Sequence, residues 1–340
     1  MKILKDVKKN TIILILITCL VMFLVLRKDF SNIVDLLLKM DLKFILIAFL
    51  LFFISIFLRG YITYRTVDNK EKLSLIEAIR HNVITQFFNG ITPFSTGGQP
   101  MEIYMLTRHG ISANKGTMII LQNFIFYQVA LVLFGIMAVS YNYIFHIFPK
   151  VVLLRKLVLI GFSVNTLVAV GIFLISLSKK FTTGCMKFII KILNKLKIVK
   201  NKEQVEEKLK VRLEEFHESA KVLRKRKFLF IEGVVFNFLS LACLYAIPLF
   251  VVYSMHDFTS INLLECLTAS AYVLLVGAFV PIPGASGGIE YSFLAFFGNF
   301  LSSSINSAVL LIWRFITYYF GMIIGAIVFN LHERREKRWE

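Results

Sequence analysis

The stretch Pro93-Phe94-Ser95-Thr96-Gly97-Gly98 interrupts one apolar region, and Pro283-Gly284-Ala285-Ser286-Gly287-Gly288 interrupts a second one. An α-helix does not continue through such a stretch, because proline lacks the backbone N–H and glycine loses much conformational freedom when it is ordered. In a lipid bilayer, a break of this kind persists only where protein or water satisfies the freed backbone groups. Matched breaks in the two halves of a membrane protein therefore indicate a transport site.

The composition around the breaks is typical of an integral membrane protein. Apolar residues make up 57% of the 340 residues, and the formal net charge is +18. The basic residues lie between apolar runs, which favours contact with lipid headgroups over contact with nucleic acid. The four cysteines and six histidines are scattered, so we expect no metal site, disulfide framework or cofactor. Motifs of soluble enzymes, such as a P-loop or HExxH, do not occur in the sequence.

The apolar runs predict an all-α polytopic membrane protein. Candidate transmembrane helices cover roughly 11–30, 43–58, 117–145, 151–178, 228–253 and 305–330. A helix needs about 20 residues to cross the bilayer, so the run at 43–58 is short, and Lys43 and Arg59 at its ends are expected to reach the interfaces. The two regions that carry the breaks, about 81–108 and 263–300, have halves too short to cross. They are predicted to be re-entrant helical hairpins.

The distribution of basic residues predicts the orientation. The N-terminal and C-terminal ends are basic, and the segment 178–227 holds sixteen Lys and Arg against six Glu. All three are expected on the cytoplasmic side of the cell membrane, with residues 27–43 as an outer loop. The order helix, helix, hairpin, helix then occurs twice. The first unit begins on the cytoplasmic side of the membrane, and the second begins on the outer side. We expect one membrane domain over 1–340, built as an inverted-topology repeat of 1–145 and 146–340 whose hairpins meet near the midplane.

The segment 178–227 has its own pattern. Lys187, Lys191 and Lys195 share one helical face, and apolar residues follow at helical spacing from Val205 to Leu223. Basic amphipathic stretches of this kind typically lie on anionic lipid. The alternative is a regulatory surface, or a docking surface for a separately encoded lipid synthase.

The breaks combine groups that suit a phosphate or a carboxylate. Glycine exposes backbone N–H groups, a helix that starts after the glycines presents the positive end of its dipole, and neighbouring hydroxyls add donors. The alternative is that the glycines only allow helices to approach closely. The candidate substrate-binding residues are Ser95, Thr96, Gly97, Gly98, Glu102, Ser286, Gly287, Gly288, Glu290, Arg314 and Tyr318.

Charged residues within apolar segments usually mark pathways or pair with each other. Arg314 is the best candidate partner for an anionic headgroup, and the alternative is that it reaches the outer interface. Glu290 is expected to neutralise Arg314 when no cargo is bound. Arg59 and Glu232 lie at predicted helix ends, which favours interfacial positions for both. A set of uncharged polar residues either lines a water-filled cavity or forms hydrogen bonds between helices. The set comprises Asn82, Gln86, Asn89, Gln122, Asn123 and Gln128.

Three motifs carry a resemblance to a known family. Residues 87–100, continued by Tyr104 and 108–112, are similar to the first motif of the lysylphosphatidylglycerol synthase transmembrane family, also called the flippase-like domain. Residues 281–290 resemble its second motif, and 313–319 resemble the motif of its last helix. Where other members carry acidic residues and an arginine, this chain has Gln99-Pro100, Gln122 and Gln128.

The resemblance implies a function in lipid transport. In two-domain relatives, a soluble domain transfers lysine or another amino acid from tRNA to phosphatidylglycerol, and the membrane domain moves the product to the outer leaflet. This chain is expected to lack the synthase half. We therefore expect a flippase-like or scramblase-like carrier for a phospholipid or a lipid-linked phosphate, with an anionic or aminoacylated headgroup. The alternatives are a membrane-embedded lipid-modifying transferase that uses Glu102 or Glu290 as its base, and a scaffold for a separate lipid synthase.

Overall fold

A computed structural model describes residues 30–67, 73–149, 151–177 and 225–336, together with the single positions 184, 207 and 211. The all-α prediction is confirmed, since the described residues form helices and short connections and no strand. In chain order the helices are α1 (Phe30–Leu38), α2 (Leu42–Thr66), α3 (Leu75–Gly90), α4 (Gly98–Arg108), α5 (Ala113–Phe145), α6 (Val152–Leu177), α7 (Lys227–Ser254), α8 (Leu263–Gly277), α9 (Gly288–Phe297), α10 (Ser303–Arg314) and α11 (Gly321–Glu336).

Five helices of the described part are long and apolar enough to cross a membrane. They are Leu42–Thr66, Ala113–Phe145, Val152–Gly171, Lys227–Ser254 and Ser303–Leu331, the last of which runs through a π-helical turn at Phe315–Phe320. They correspond to five of the six predicted spans. The predicted span at 11–30, except for residue 30, lies outside the described residues. So does the segment 178–227, except for 184, 207, 211 and 225–227.

Helix α2 is longer than the sequence predicted. The predicted run ended at residue 58, whereas the helix has 25 residues and ends at Thr66, so Arg59 lies inside it. The extension follows from the residues after Arg59, since Ile62 and Thr63 are buried and the helix packs along α7. The expectation that Arg59 ends a short span is therefore wrong.

Residues 27–43 were expected to form a loop, but their described part contains helix α1. Its apolar side chains share one face, where Ile33 is fully buried and Leu36 and Leu37 pack against the core. Helix α1 contacts α10, which explains why a nine-residue helix is stable here. Asp41 then caps α2 by accepting a hydrogen bond from the Lys43 N–H at 2.9 Å.

The two regions with Pro–Gly breaks fold alike. Each begins with a capping box, formed by Ser74 with Glu77 at the start of α3 and by Asn262 with Glu265 at the start of α8. Such a box satisfies backbone N–H groups that a helix start leaves unpaired. Helices α3, α4, α8 and α9 have 16, 11, 15 and 10 residues, so each is too short to cross a bilayer alone.

The breaks themselves share a backbone conformation. Each forms one 3₁₀ turn, Pro93–Ser95 in the first and Pro283–Ala285 in the second. The two residues after each proline have positive φ angles between 51° and 63°. The two 3₁₀ turns contact each other, so the breaks meet inside the protein. Insertion of the two hairpins from opposite membrane faces, and the division at residue 145, stay predictions.

The core lies mainly in the second half of the chain. Most residues of α8 are buried, and α8 packs against α7 and α9. The largest cluster of buried apolar side chains joins these helices to α2, α5 and α10. In the first half, α3 packs along α11. These contacts hold both breaks between the spanning helices.

Candidate functional site

A cavity of about 620 Å³ lies between the two breaks. Its wall includes Phe94, Ser95 and Gly98 from the first break and Gly284 and Ala285 from the second. The rest of the described wall comes from α2 to α10 and from the π-helical turn at Phe315–Phe320. Its volume falls within the range of about 300–1,000 Å³ that is typical of small-molecule sites.

The described wall combines apolar side chains with many uncharged polar ones and few acidic or basic ones. Within the described residues, the only Asp, Glu, His, Lys or Arg side chains that line it are Arg59, Glu102 and Arg314. Eight carboxamide side chains line it, from Asn82, Gln86, Asn89, Gln99, Asn123, Gln128, Asn165 and Asn237.

Five of the eleven predicted site residues line the cavity: Ser95, Gly98, Glu102, Arg314 and Tyr318. The other six are not among the described lining residues and lie in or next to the breaks: Thr96, Gly97, Ser286, Gly287, Gly288 and Glu290. Two of their hydroxyls bond locally, since Thr96 Oγ1 and Ser286 Oγ donate to the carbonyl oxygens of Pro93 and Pro283.

The first break is held by side chains of its own hairpin. The Gly97 N–H donates to Thr92 Oγ1 at 2.9 Å, and the Gly98 N–H donates to Asn89 Oδ1 at 2.9 Å. A Cβ at Gly98 would lie 2.7 Å from the Asn89 Cγ atom, so only glycine permits this approach. These two N–H groups therefore already have acceptors, and the glycines contribute close packing.

The second break is held by an ion pair. Glu290 accepts a hydrogen bond from the Gly287 N–H at 2.6 Å and pairs with Arg314, whose Nη2 lies 2.6 Å from its Oε1. Arg314 also donates to the Gly284 carbonyl oxygen at 2.9 Å. Glu290 and Arg314 are 5% and 6% exposed, so the pair is almost fully buried. The expected contact between them is confirmed, and the alternative of an interfacial Arg314 is wrong.

Tyr318 extends this pair to the first break. Its ring centroid lies 4.7 Å from the Arg314 guanidinium carbon, and its hydroxyl donates to the Gly90 carbonyl oxygen at 2.7 Å. Gly284, with a φ of +63°, packs directly against the Tyr318 ring. A cation over an aromatic face is attracted by the ring quadrupole. The last span thus contacts both breaks through Arg314 and Tyr318.

Arg59 is the functional candidate that the sequence prediction discounted. It lies inside α2, lines the cavity, and has its guanidinium 5.9 Å from the centroid of the Tyr127 ring. Among the described residues, no side chain or backbone oxygen accepts a hydrogen bond from Arg59. The signal that identifies it is the sequence Tyr61-Ile62-Thr63-Tyr64, which prolongs the helix beyond the arginine.

Glu102 lies across from Arg59 in a polar cluster. Its Oε1 accepts a hydrogen bond from Thr63 Oγ1 at 3.4 Å, and it attracts Arg59 without a direct ion pair among the described atoms. Thr63 also accepts from Asn123 at 3.0 Å and from Asn82 at 3.4 Å. Helices α2, α3, α4 and α5 therefore bring one carboxylate, one guanidinium and two amides to the same wall.

The uncharged polar residues fill both predicted roles. Asn82, Gln86, Asn89, Asn123 and Gln128 line the cavity, whereas Gln122 is buried outside the described wall. Two of the lining residues also join helices, because Asn123 accepts from Thr66 at 3.0 Å and Gln128 donates to the Asn165 carbonyl oxygen at 3.1 Å.

Glu232 pairs with Arg65 instead of lying alone at an interface. The Arg65 Nη2 atom is 3.0 Å from Glu232 Oε2, and Arg65 Nε also donates to the same carboxylate. The pair joins the end of α2 to the start of α7. It does not line the described cavity, so its contribution there is to helix packing.

Comparison with known sequences agrees with this architecture. The sequence profile described as the lysylphosphatidylglycerol synthase TM region matches residues 11–325. The chain is 23% identical over 334 residues to a UPF0104 membrane protein of Pyrococcus horikoshii, covering 94% of this chain and 96% of that protein. It is 24% identical over 283 residues to a UPF0104 membrane protein of Archaeoglobus fulgidus, covering 80% and 79%. This chain is a membrane protein that belongs to the lysylphosphatidylglycerol synthase transmembrane family.

Proposed function

We propose that this protein carries a phospholipid, or a lipid-linked phosphate, between the two leaflets of the cell membrane. The observation that supports the proposal is the cavity at the contact between the two Pro–Gly breaks, which lies among apolar spanning helices and is lined by eight carboxamides. A headgroup that crosses hydrocarbon without hydrogen-bond partners loses several kcal/mol for each polar group. The cavity provides such partners, while the acyl chains stay in the bilayer.

The charged residues have distinct roles in this proposal. Arg59 binds the phosphate, because a guanidinium presents paired N–H donors that match two phosphate oxygens. Glu102 and Ser95 contact the rest of the headgroup, together with Gly98 at the end of the first break. Arg314 and Tyr318 contribute to the wall and hold the breaks in place. Their role is structural because the Arg314 guanidinium already donates to Glu290 and to the Gly284 carbonyl oxygen.

Opposite insertion of the two hairpins explains how such a cavity serves both leaflets. Each hairpin then closes one side, and a shift of one half against the other exposes the cavity alternately. In this topology, Asn114 after the first hairpin faces the cytoplasm and Thr259 before the second hairpin faces outward. Cysteines placed at these positions are expected to react with membrane-impermeant maleimide from opposite sides. Labelling of both from the same side would contradict the inverted topology.

The transport test uses the purified full-length chain in proteoliposomes. Phospholipids with a fluorescent NBD group on one acyl chain are included, and dithionite bleaches those in the outer leaflet. We expect complete bleaching with protein and about half with protein-free liposomes. Equal bleaching in both, across anionic and aminoacylated lipids, would refute the carrier function. Mass spectrometry of the recovered lipids tests the transferase alternative, which requires a changed headgroup.

A variant pair connects transport to the cavity. Arg59→Gln should slow translocation about tenfold or more, because a hydrogen bond to a charged group contributes about 1.5–3 kcal/mol. Arg80→Gln is the matched control, since Arg80 lies on α3 outside the described cavity wall. Equal rates for the two variants would exclude Arg59 from the pathway.

A further inference from the structure

We infer that the cargo headgroup is a phosphate joined to an uncharged polyol or sugar. This inference rests on the proposed carrier function and specifies its substrate class. It comes from the chemistry of the described cavity wall, where eight carboxamides accompany three charged side chains.

Carboxamides and alcohols are complementary in hydrogen bonding. Each amide side chain offers two N–H donors and a carbonyl acceptor, and each alcohol both donates and accepts. A polyol therefore satisfies a wall of amides from many directions. A compact charged headgroup would leave without a partner Gln86 and Gln99, the two amides of this wall that form no hydrogen bond within the described residues.

Two of the amides are fully available. Gln86 lies on α3 before the first break, and Gln99 lies on α4 directly after it. Both line the cavity, and within the described residues neither side chain forms a hydrogen bond. Since α3 and α4 flank the break, these two glutamines approach a headgroup from adjacent positions of the same hairpin. Asn82 and Asn123 add partly used amides through their bonds to Thr63.

Arg59 provides the phosphate end of the site. The guanidinium N–H groups of Arg59 have no acceptor among the described residues. Those of Arg314 already donate to Glu290 and to the Gly284 carbonyl oxygen. One arginine beside Gln86 and Gln99 suits one phosphodiester with hydroxyls beyond it.

The same charges disfavour an aminoacylated headgroup. A lysyl ester carries two ammonium groups, and each needs a nearby carboxylate when water is excluded. Glu290 already forms an ion pair with Arg314, and Glu102 is attracted electrostatically by Arg59. The two ammonium groups of a lysyl headgroup would therefore have only the Glu102 carboxylate as a partner in the described wall. Arg59 already attracts that carboxylate and would repel the ammonium groups.

The experiment compares four NBD-acyl lipids in the proteoliposome assay. They are phosphatidylinositol, phosphatidylglycerol, phosphatidylpropanol, and lysyl-phosphatidylglycerol. Phosphatidylpropanol is the matched control, because it keeps the phosphodiester of phosphatidylglycerol and lacks its hydroxyls. We expect phosphatidylinositol to move at least about tenfold faster than phosphatidylpropanol, with phosphatidylglycerol between them.

The outcomes separate this inference from the proposed function. Movement of phosphatidylpropanol as fast as phosphatidylinositol would overturn the headgroup class and leave the carrier intact. Fastest movement of lysyl-phosphatidylglycerol would also overturn it. Movement of no lipid would refute the carrier function and the headgroup class together.

A double variant tests the two glutamines directly. In Gln86→Leu/Gln99→Leu, the ratio of the phosphatidylinositol rate to the phosphatidylpropanol rate should fall from at least about tenfold to about one. An unfolding midpoint in detergent micelles close to that of the wild type shows that the variant is folded. Asn330→Ala is the control for amide removal, because Asn330 lies on α11 outside the described wall. A retained preference for phosphatidylinositol in the double variant would overturn the assignment.

Discussion

The Tyr318 hydroxyl donates a hydrogen bond of 2.7 Å to the carbonyl oxygen of Gly90, so the last spanning helix holds the end of helix α3. The same aromatic ring lies beneath the Arg314 guanidinium and against Gly284 of the second break. One side chain therefore contacts the second break and the end of the helix that leads into the first break. The cavity between them depends on this contact.

Removing the Tyr318 hydroxyl should destabilise the protein. Tyr318→Phe keeps the ring but leaves the Gly90 carbonyl oxygen without this donor, which costs about 1–3 kcal/mol for a buried acceptor. The free energy of unfolding in mixed detergent micelles measures the loss. Tyr291→Phe is the matched control, because Tyr291 is 66% exposed and should change stability little. Equal unfolding energies for both variants would argue against a structural role for the hydrogen bond.

The buried pair of Glu290 and Arg314 should be strongly coupled. Glu290→Gln leaves the Arg314 charge buried without its counter-ion, and we expect a loss of about 3–5 kcal/mol in unfolding free energy. Glu232→Gln breaks the pair with Arg65, whose side chain is 40% exposed, and should cost about 1 kcal/mol or less.

A double-mutant cycle separates the pair from the packing around it. The variant Glu290→Gln/Arg314→Met removes both charges and should be more stable than Glu290→Gln alone. Additive losses from the two single substitutions would show that the charges act independently, against the geometry of the pair.

The close approach at Gly98 should not tolerate a methyl group. In Gly98→Ala, the new Cβ would meet the Asn89 carboxamide, which must move and release the Gly98 N–H. Overpacking of this kind costs about 1–3 kcal/mol. Gly171→Ala is the control, because a Cβ there meets nothing within 4 Å and alanine favours the helix. Thermal unfolding midpoints that fall equally in both variants would contradict this account.

Asp257, in the connection between α7 and α8, should make stability depend on pH. Burial raises the pKa of Asp257, but hydrogen bonds from Ser260 and from the backbone N–H of Thr259 outweigh it and lower the pKa below its usual 3.8. The folded state therefore favours the carboxylate, which stabilises the protein above pH 3.8. This contribution should disappear as the pH falls through the lowered pKa.

The measurement compares the wild type with Asp257→Asn. At neutral pH the variant should be less stable, since its side chain cannot carry the charge that accepts the Ser260 N–H bond at 3.0 Å. The difference should narrow as the pH falls below the ordinary carboxyl range. A difference that stays constant from neutral to acidic pH would show that Asp257 does not act through its charge.

Much of the fold follows from local patterns. Five predicted spans occur at the expected places, and both hairpins are centred on the breaks that the Pro and Gly residues require. The pairing of Glu290 with Arg314 was also predictable, because ionisable residues in apolar segments tend to pair. These features depend on residue type and spacing within short stretches of chain.

The position of Arg59 was not predictable in the same way. The apolar run before it suggests a helix end, but packing of α2 along α7 prolongs the helix and places Arg59 in the cavity wall. The acceptors of the Gly97 and Gly98 N–H groups also depend on tertiary contact. Thr92 and Asn89 come within hydrogen-bond distance of these groups only when the hairpin is folded.

The sequence by itself determined that the chain is helical, spans a membrane and contains two matched breaks, because apolar length, proline and glycine act locally on the backbone. Tertiary structure alone decided that the breaks touch, that Arg314 is held by Glu290 and Gly284, and that Arg59 and eight amides face one cavity. The physical reason is that a polar side chain can bind cargo only if no other helix has already taken its hydrogen bonds. Which side chains keep free donors and acceptors depends on contacts between residues that are distant in the sequence.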